Sequence, residues 1–249
     1  MKLQDFEQRR IPIIEIFNSV SGEGISAGSV VTFVRAAGCN LRCNYCDTKY
    51  SYNELGNGIQ VLKPDGIVNI LESYNCKNVL CTGGEPLELN KAKRYLPLYL
   101  ASKGFKVRIE TNGSCPLYSK TELNDFAVDN ISFLTLNYAL DVKCPDSGMS
   151  NYNIYNENFE LLGPEDEIKF IVGTRRDLKF AFETIKEYSN ILSKTGVTIN
   201  FLPVFGKLEA IEIVNMLKEN NAYFEKYGLN VRLSLQIHKF IWPPEARGV

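Results

Sequence analysis

Cys39, Cys43 and Cys46 stand in the run Gly38-Cys39-Asn40-Leu41-Arg42-Cys43-Asn44-Tyr45-Cys46-Asp47-Thr48, a C-x3-C-x2-C spacing. Three thiolates this close together can wrap one metal centre from a single loop. A cubane iron–sulfur cluster is normally held by four cysteine thiolates. With three supplied locally, one iron stays open for a ligand that is not protein. A structural zinc site is the alternative. Zinc takes a closed tetrahedral set, usually as two ligand pairs, and this triplet has no partner pair. The only histidine, His238, lies far along the chain. Cys76, Cys81, Cys115 and Cys144 are scattered and read as small buried residues.

Other residues of chemical interest fall at strand ends. Thr82-Gly83-Gly84-Glu85-Pro86 reads either as a ligand cradle, because glycine lets backbone approach closely, or as a plain turn. Glu110-Thr111-Asn112-Gly113 carries the same two readings. Asp141 and Lys143 form either a solvated strand end or part of a site. Arg35 offers a planar fork for a carboxylate, or is a surface strand arginine. Thr48, directly after Cys46-Asp47, taken alone reads as a helix cap. His238, taken alone, reads as a structural histidine on a strand.

The elements that must position these residues alternate. Ile11–Phe17 and Val30–Arg35 are β-rich, and Asn78–Cys81, Lys106–Glu110, Leu140–Lys143, Ile168–Val172, Val197–Val204 and Val231–Gln236 read as strands. Asp65–Tyr74 has helical spacing, and Asn90–Lys103 is a helix that Pro97 kinks or shortens. Arg176–Leu192 is amphipathic, with Leu178, Phe182, Ile185 and Tyr188 on one face. Leu208–Tyr227 is a further helix. Lys120–Tyr138 shows no pattern that assigns it. Strand–helix alternation predicts a parallel sheet with crossover helices. About six such strands are too few for a closed eight-stranded barrel. The expectation is therefore an α/β fold, a partial, open parallel β/α barrel, with ligands at the C-terminal strand ends.

The 249 residues show no repeat or linker, so the chain is expected to be one domain, 1–249, with its metal loop at 38–48. Hydrophobic residues make up 45% and charged ones 23%, ordinary globular values that argue against disorder. A net charge of -1 lacks the basic excess of a nucleic-acid binder. No apolar run approaches the ~20 residues of a membrane span. Met1–Arg10 is too polar for a secretory leader. A cytoplasmic location is expected, and its reducing thiol chemistry makes metal binding the better reading of the triplet.

The triplet resembles the cluster loop of the radical S-adenosylmethionine (SAM) superfamily, and Thr82–Pro86 resembles that superfamily's GGEP motif. The likeness then narrows. Glu15-Ile16-Phe17-Asn18-Ser19-Val20-Ser21-Gly22-Glu23-Gly24, Phe33-Val34-Arg35-Ala36-Ala37-Gly38-Cys39-Asn40-Leu41-Arg42-Cys43 and Leu235-Gln236-Ile237-His238-Lys239-Phe240 resemble motifs of the 7-carboxy-7-deazaguanine synthase family. The family pattern has Gln where Ser21 stands, and many members have Gln-Pro where this chain has Leu202-Pro203. That replaces a SAM contact through the Gln side chain by one through backbone groups alone.

The resemblance implies a substrate, 6-carboxy-5,6,7,8-tetrahydropterin, and a product, 7-carboxy-7-deazaguanine, formed by hydrogen abstraction at C6, ring contraction and loss of ammonia. The product belongs to the queuosine and other 7-deazapurine pathways. The implied cofactors are a 4Fe-4S cluster, SAM (which the family regenerates) and Mg²⁺. The implied partners are flavodoxin or ferredoxin as electron donor and a second copy in a homodimer. By the same resemblance Cys39, Cys43 and Cys46 hold the cluster. Tyr45, Asp47, Gly83, Gly84, Glu85, Glu110, Asp141 and Lys143 contact SAM. Val20, Ser21, Gly22, Glu23, Arg35, Thr82 and His238 contact the pterin, Glu23 accepting from its N–H groups, and Thr48 ligates Mg²⁺. The tail from Trp242 to Val249 is placed to close the site. The rival readings are an activase that installs a glycyl radical on a protein, and a non-catalytic zinc-binding protein.

Overall fold

The computed structural model describes residues 2–126 and 135–249. Its strands are β1 (Ile11–Val20), β2 (Val30–Ala36), β3 (Gln60–Leu62), β4 (Asn78–Gly83), β5 (Lys106–Thr111), β6 (Leu136–Val142), β7 (Glu167–Val172), β8 (Thr198–Pro203) and β9 (Asn230–Leu233). Among the described residues they form one sheet in the order β3-β1-β2-β4-β5-β6-β7-β8-β9. β1 runs antiparallel to both β2 and β3. From β2 through β4 to β9 every pairing is parallel. Parallel neighbours need a crossover between them, and the alternating sequence supplies one each time.

This is the open parallel barrel the sequence predicts. The six strands β2 and β4 to β8 carry most of the site, while β3 and β1 extend one edge and β9 the other. Side-chain alternation sorts each strand between two environments. On β7, Ile168, Phe170 and Val172 belong to the hydrophobic core, whereas Lys169 and Ile171 line an inner cavity. On β4, Val79 and Cys81 face the core and Leu80 and Thr82 the cavity. The same division puts Val34 of β2 in the core and Phe33 and Arg35 in the cavity.

Several elements differ from the sequence reading. Pro97 does not kink a long helix. A one-turn 3-10 segment, Ala92–Tyr95, precedes the helix Leu96–Ser102, and Pro97 sits in the first helical turn, where its missing N–H costs nothing. The helix expected over Arg176–Leu192 ends at Glu187, and a second helix, Ser189–Thr195, follows. The first of the two, Arg175–Glu187, is capped by Thr174, whose side chain accepts from the Asp177 amide, as an N-cap should. Leu208–Tyr227 likewise divides into Ala210–Glu219 and Asn221–Tyr227. Of the unassigned stretch Lys120–Tyr138, Lys120–Phe126 is helical and Leu136 opens β6; 127–134 lie outside the described residues. The last strand stops at Leu233, short of Gln236. Among the described residues no helix is long and apolar enough to cross a membrane.

Candidate active site

Cys39, Cys43 and Cys46 follow β2 on a loop without helix or strand, and all three line a cavity of about 780 Å³. The loop has little regular backbone pairing, so other groups hold it. Gly84 N–H donates to Ala36 O at 2.9 Å and Glu85 N–H to Gly38 O at 2.8 Å. Lys93, with only 2% of its surface exposed, donates to Ala37 O at 2.9 Å and Gly38 O at 2.6 Å. Its charge is met by Glu88 at 2.7 Å. Removing one member of a buried ion pair typically costs about 3–5 kcal/mol. Lys93→Met is therefore expected to lower stability by that amount and to loosen the loop, read as a fall in denaturation midpoint with incomplete iron loading. Wild-type stability and iron content would rule out this anchoring role.

The turn after β4 fits the loop closely. A Cβ on Gly84 would lie 1.7 Å from Gly38 O, so only glycine is accommodated there. Glu85 departs from the expected role. Its side chain is fully buried and does not line the cavity. Its carboxylate accepts from Thr111 Oγ1 at 2.8 Å, Asn112 N at 2.7 Å and Leu87 N at 2.8 Å. It ties the end of β4 to the end of β5, because a carboxylate among three donors is already satisfied. Burial raises its pKa, and those hydrogen bonds work against the rise.

The donor set suits an iron–sulfur cluster. Burial pushes the Cys39 and Cys43 thiols up, so iron must displace their protons as it binds. Asn112 Nδ2 lies 3.8 Å from Cys39 Sγ. The Tyr45 hydroxyl is buried without a protein partner among the described residues, which leaves it free for a bound group in this cavity. Thr48 Oγ1 lies 3.6 Å from Cys46 Sγ and also faces the cavity, as does Asp47.

At the ends of β5 and β6 the charged residues form a connected set. Lys143 Nζ and Asp141 Oδ2 are 2.7 Å apart. Burial alone would raise the Asp141 carboxyl, but Lys143 and Lys169 hold it below the usual carboxylate range. Burial opposes the charge on Lys143, yet Asp141 raises its pKa overall. Glu110 accepts from Thr82 Oγ1 at 2.8 Å. Arg35 is fixed through its Nε by Glu15 at 2.7 Å.

The loop after β1 approaches from the other side. Because β1 is antiparallel to β2, Val20 pairs with Val30 at the start of β2, whereas Cys39 lies beyond its end. Val20, Ser21, Gly22 and Glu23 all line the same cavity as the cysteines. Ser21 is committed elsewhere: its amide donates to Ser29 O, its carbonyl accepts from Gly28 N, and its hydroxyl lies 2.8 Å from that of Ser26. Its short side chain closes its own loop. Phe17 and Phe33, partners across β1 and β2, stack at 4.7 Å and give the cavity an apolar wall.

The C-terminal motif meets this loop across the open edge of the barrel. Ser234 N–H donates to Phe201 O, and Ile237 N–H donates to Gly22 O at 2.9 Å. Gly24 N donates to Ser234 Oγ at 3.0 Å, and Gln236 Nε2 to Glu23 Oε1 at 2.6 Å. These bonds draw the chain off β9, so His238 opens a short helix, His238–Ile241, and is not on a strand. It packs so closely on Gly22 that a Cβ there would lie 2.0 Å from its Nδ1. The tail from Pro244 to Val249 also lines the cavity, with the Arg247 guanidinium 4.0 Å from the Tyr50 ring centre. Leu202 is buried and is not among the residues that line the cavity.

Sequence reasoning missed Lys169 and Gln236. Lys169 is 3% exposed and lies 3.3–3.4 Å from Glu23, Glu110 and Asp141. The signal was present, since Lys169 interrupts an otherwise apolar run from Ile168 to Val172.

The chain resembles known proteins in sequence and in fold. The Radical SAM superfamily profile matches residues 33–132. A 7-carboxy-7-deazaguanine synthase of Clostridium acetobutylicum is 37% identical over 237 residues, covering 95% of this chain and 98% of the relative. One from Koribacter versatilis is 33% identical, covering 95% and 99%. The crystal structure of QueE from Escherichia coli superposes with a TM-score of 0.69 at 20% identity, covering 95% of this chain and 98% of that one. Streptococcus suis SuiB bound to S-adenosylmethionine has a TM-score of 0.50 at 15% identity, covering 79% and 44%. These two likenesses speak to the fold. With sequence identity carried along nearly its whole length, this chain belongs to the 7-carboxy-7-deazaguanine synthase family of radical SAM enzymes.

Proposed function

We propose that this chain converts 6-carboxy-5,6,7,8-tetrahydropterin to 7-carboxy-7-deazaguanine as a homodimer that takes electrons from flavodoxin or ferredoxin. The observation that carries the reading is that the cysteine loop and the Val20–Glu23 loop, set at the two ends of β2, open into one cavity. A cofactor held at one end and a heterocycle at the other then meet inside it. When bound, the cluster and SAM would supply the radical chemistry that abstracts hydrogen from the pterin.

The chain's own residues bind and orient. Cys39, Cys43 and Cys46 hold the cluster, and the Gly83–Gly84 turn, Tyr45, Asp47, Asp141 and Lys143 surround SAM. Glu23, steadied by Gln236 at 2.6 Å, accepts from the N–H groups of the pterin. Arg35, held through Nε by Glu15, offers its terminal nitrogens to a carboxylate. Thr82 and His238 flank the ring, and Phe17 and Phe33 exclude water along one wall. Glu110, bonded to both Thr82 and Lys169, links the two halves.

The test is anaerobic incubation of the reconstituted protein with the carboxytetrahydropterin, SAM and a low-potential reductant, with products identified by mass. Formation of 7-carboxy-7-deazaguanine is expected. Cleavage of SAM without any product from the pterin would sink the reading.

Thr48 is the proposed oxygen donor to Mg²⁺, with substrate and water completing the shell. Thr48→Ala is expected to raise the half-saturating Mg²⁺ concentration about tenfold or more while iron and sulfide content stay unchanged. An identical magnesium response in the variant would remove Thr48 from the metal site.

A further inference from the structure

Lys169 belongs to none of the motifs that define the two binding regions, yet it touches both. It projects from the middle of β7 into the cavity. Its ammonium lies 3.3 Å from Glu23 Oε2, 3.4 Å from Glu110 Oε1 and 3.4 Å from Asp141 Oδ1. Those three carboxylates come from the loop after β1, the end of β5 and the end of β6. Each has a second partner of its own: Gln236 for Glu23, Thr82 for Glu110 and Lys143 for Asp141.

The three distances are near-equal, but the ammonium hydrogen-bonds to Glu23 and Glu110 only, while Asp141 Oδ1 meets its charge at 3.4 Å without a hydrogen-bond partner among the described residues. Asp141 has its close partner in Lys143 at 2.7 Å. Three carboxylates around one buried point repel one another strongly unless a cation stands between them. Burial opposes a charge on Lys169, but Asp141, Glu110 and Glu23 keep it firmly protonated. A lysine held so firmly is a poor proton donor, which argues against an acid role and for a geometric one.

The foot of the strand is braced as well. Glu167, two residues earlier on the same face of β7, accepts from Ile25 N at 3.0 Å and Asn200 Nδ2 at 2.5 Å. β7 therefore grips the loop that carries Glu23 at two points, once through Glu167 and once through Lys169.

We infer that Lys169 is a positioning residue that couples the two binding regions, setting the substrate-side Glu23 and the SAM-side Asp141 in register through one shared ammonium, with Glu110 between them. This rests on the proposed function for the identity of the pterin; the SAM half stands apart from it. Filling either region draws on the same cation, so each ligand senses the other. Loss of the cation lets SAM be cleaved when the pterin is out of place.

The test uses anaerobically reconstituted holoenzyme carrying Lys169→Gln or Lys169→Arg. Lys169→Arg keeps the charge, and so the fold, but replaces a point donor by a longer planar fork. Equilibrium dialysis gives the affinities for SAM and for the carboxytetrahydropterin. Product analysis gives the ratio of 5′-deoxyadenosine to deazaguanine, and thermal unfolding reports stability. In Lys169→Gln both affinities are expected to fall about tenfold, with the ratio rising several-fold. In Lys169→Arg the unfolding temperature stays at the wild-type value while both affinities fall about threefold and the ratio still rises. Lys169→Arg carries the test alone if Lys169→Gln does not fold. Wild-type affinities and ratio in the folded variants would leave Lys169 with a purely structural role and overturn the inference. Loss of affinity for one ligand only would overturn the coupling. If wild-type enzyme binds SAM but not the pterin, the functional proposal fails, and the SAM affinities of the variants still report on Lys169.

Discussion

Replacing Cys39, Cys43 or Cys46 with alanine is expected to abolish reductive cleavage of SAM, lowering 5′-deoxyadenosine formation by at least about a thousandfold. The three thiols come from one short loop and open into one cavity. Among the described residues, the remaining cysteines are not placed to substitute. Cys81 and Cys144 are buried in the core, and Cys76 contacts Val30 O and Asn78 O at the far end of β2 and β4. Cys115 accepts from Asn40 of the loop, but it too belongs to the core. Iron, acid-labile sulfide and 5′-deoxyadenosine are the measurements. A variant that cleaves SAM at the wild-type rate would show that the triplet does not hold the cluster.

Gly84→Ala is the second large effect. The new Cβ would meet Gly38 O at 1.7 Å and the Cys39 backbone nitrogen at 2.9 Å. Both obstacles are backbone, so no rotamer change relieves them. Either the end of β4 or the start of the cluster loop must move by about an ångström or more, a displacement that costs a catalytic site on the order of a hundredfold. Overpacking adds about 1–3 kcal/mol of destabilisation. The catalytic efficiency toward SAM should therefore fall about a hundredfold, with a lower unfolding temperature. Gly66→Ala is the control: that glycine lies in the helix Pro64–Ser73 with open space where its Cβ would be. Alanine there should be neutral or stabilise by up to about 1 kcal/mol. Equal losses in both variants would show that the close fit at Gly84 is not what matters.

The parts of this molecule legible in the sequence are those where chemistry and local pattern coincide. The cysteine loop, the glycine turn and the alternation of strand and helix each need only a short stretch of chain to be recognised. Helix breaks were harder. Tyr188 fits the amphipathic face on which the reading rested, and it still packs partly against the core, but Ser189 starts a new helix there. His238 looked like a strand residue because Val231–Gln236 has strand composition; the bonds that pull Ser234 and Ile237 away come from Phe201 and Gly22, far off in the sequence. Glu85 was read from a motif as a ligand contact, and only the tertiary fold reveals the three donors that occupy it. Lys169 was visible as an odd charge in an apolar strand, yet its partners lie on three other elements.

The seam between Gly22–Gly24 and Ser234–Ile237 joins segments more than two hundred positions apart. On a ribosome, Glu23 emerges 213 positions before Gln236, the residue that steadies it. Until that partner has been made, Glu23 lacks the amide that fixes its carboxylate. Ordering of the Gly22–Gly24 loop is therefore a long-range event, of the kind that slows folding.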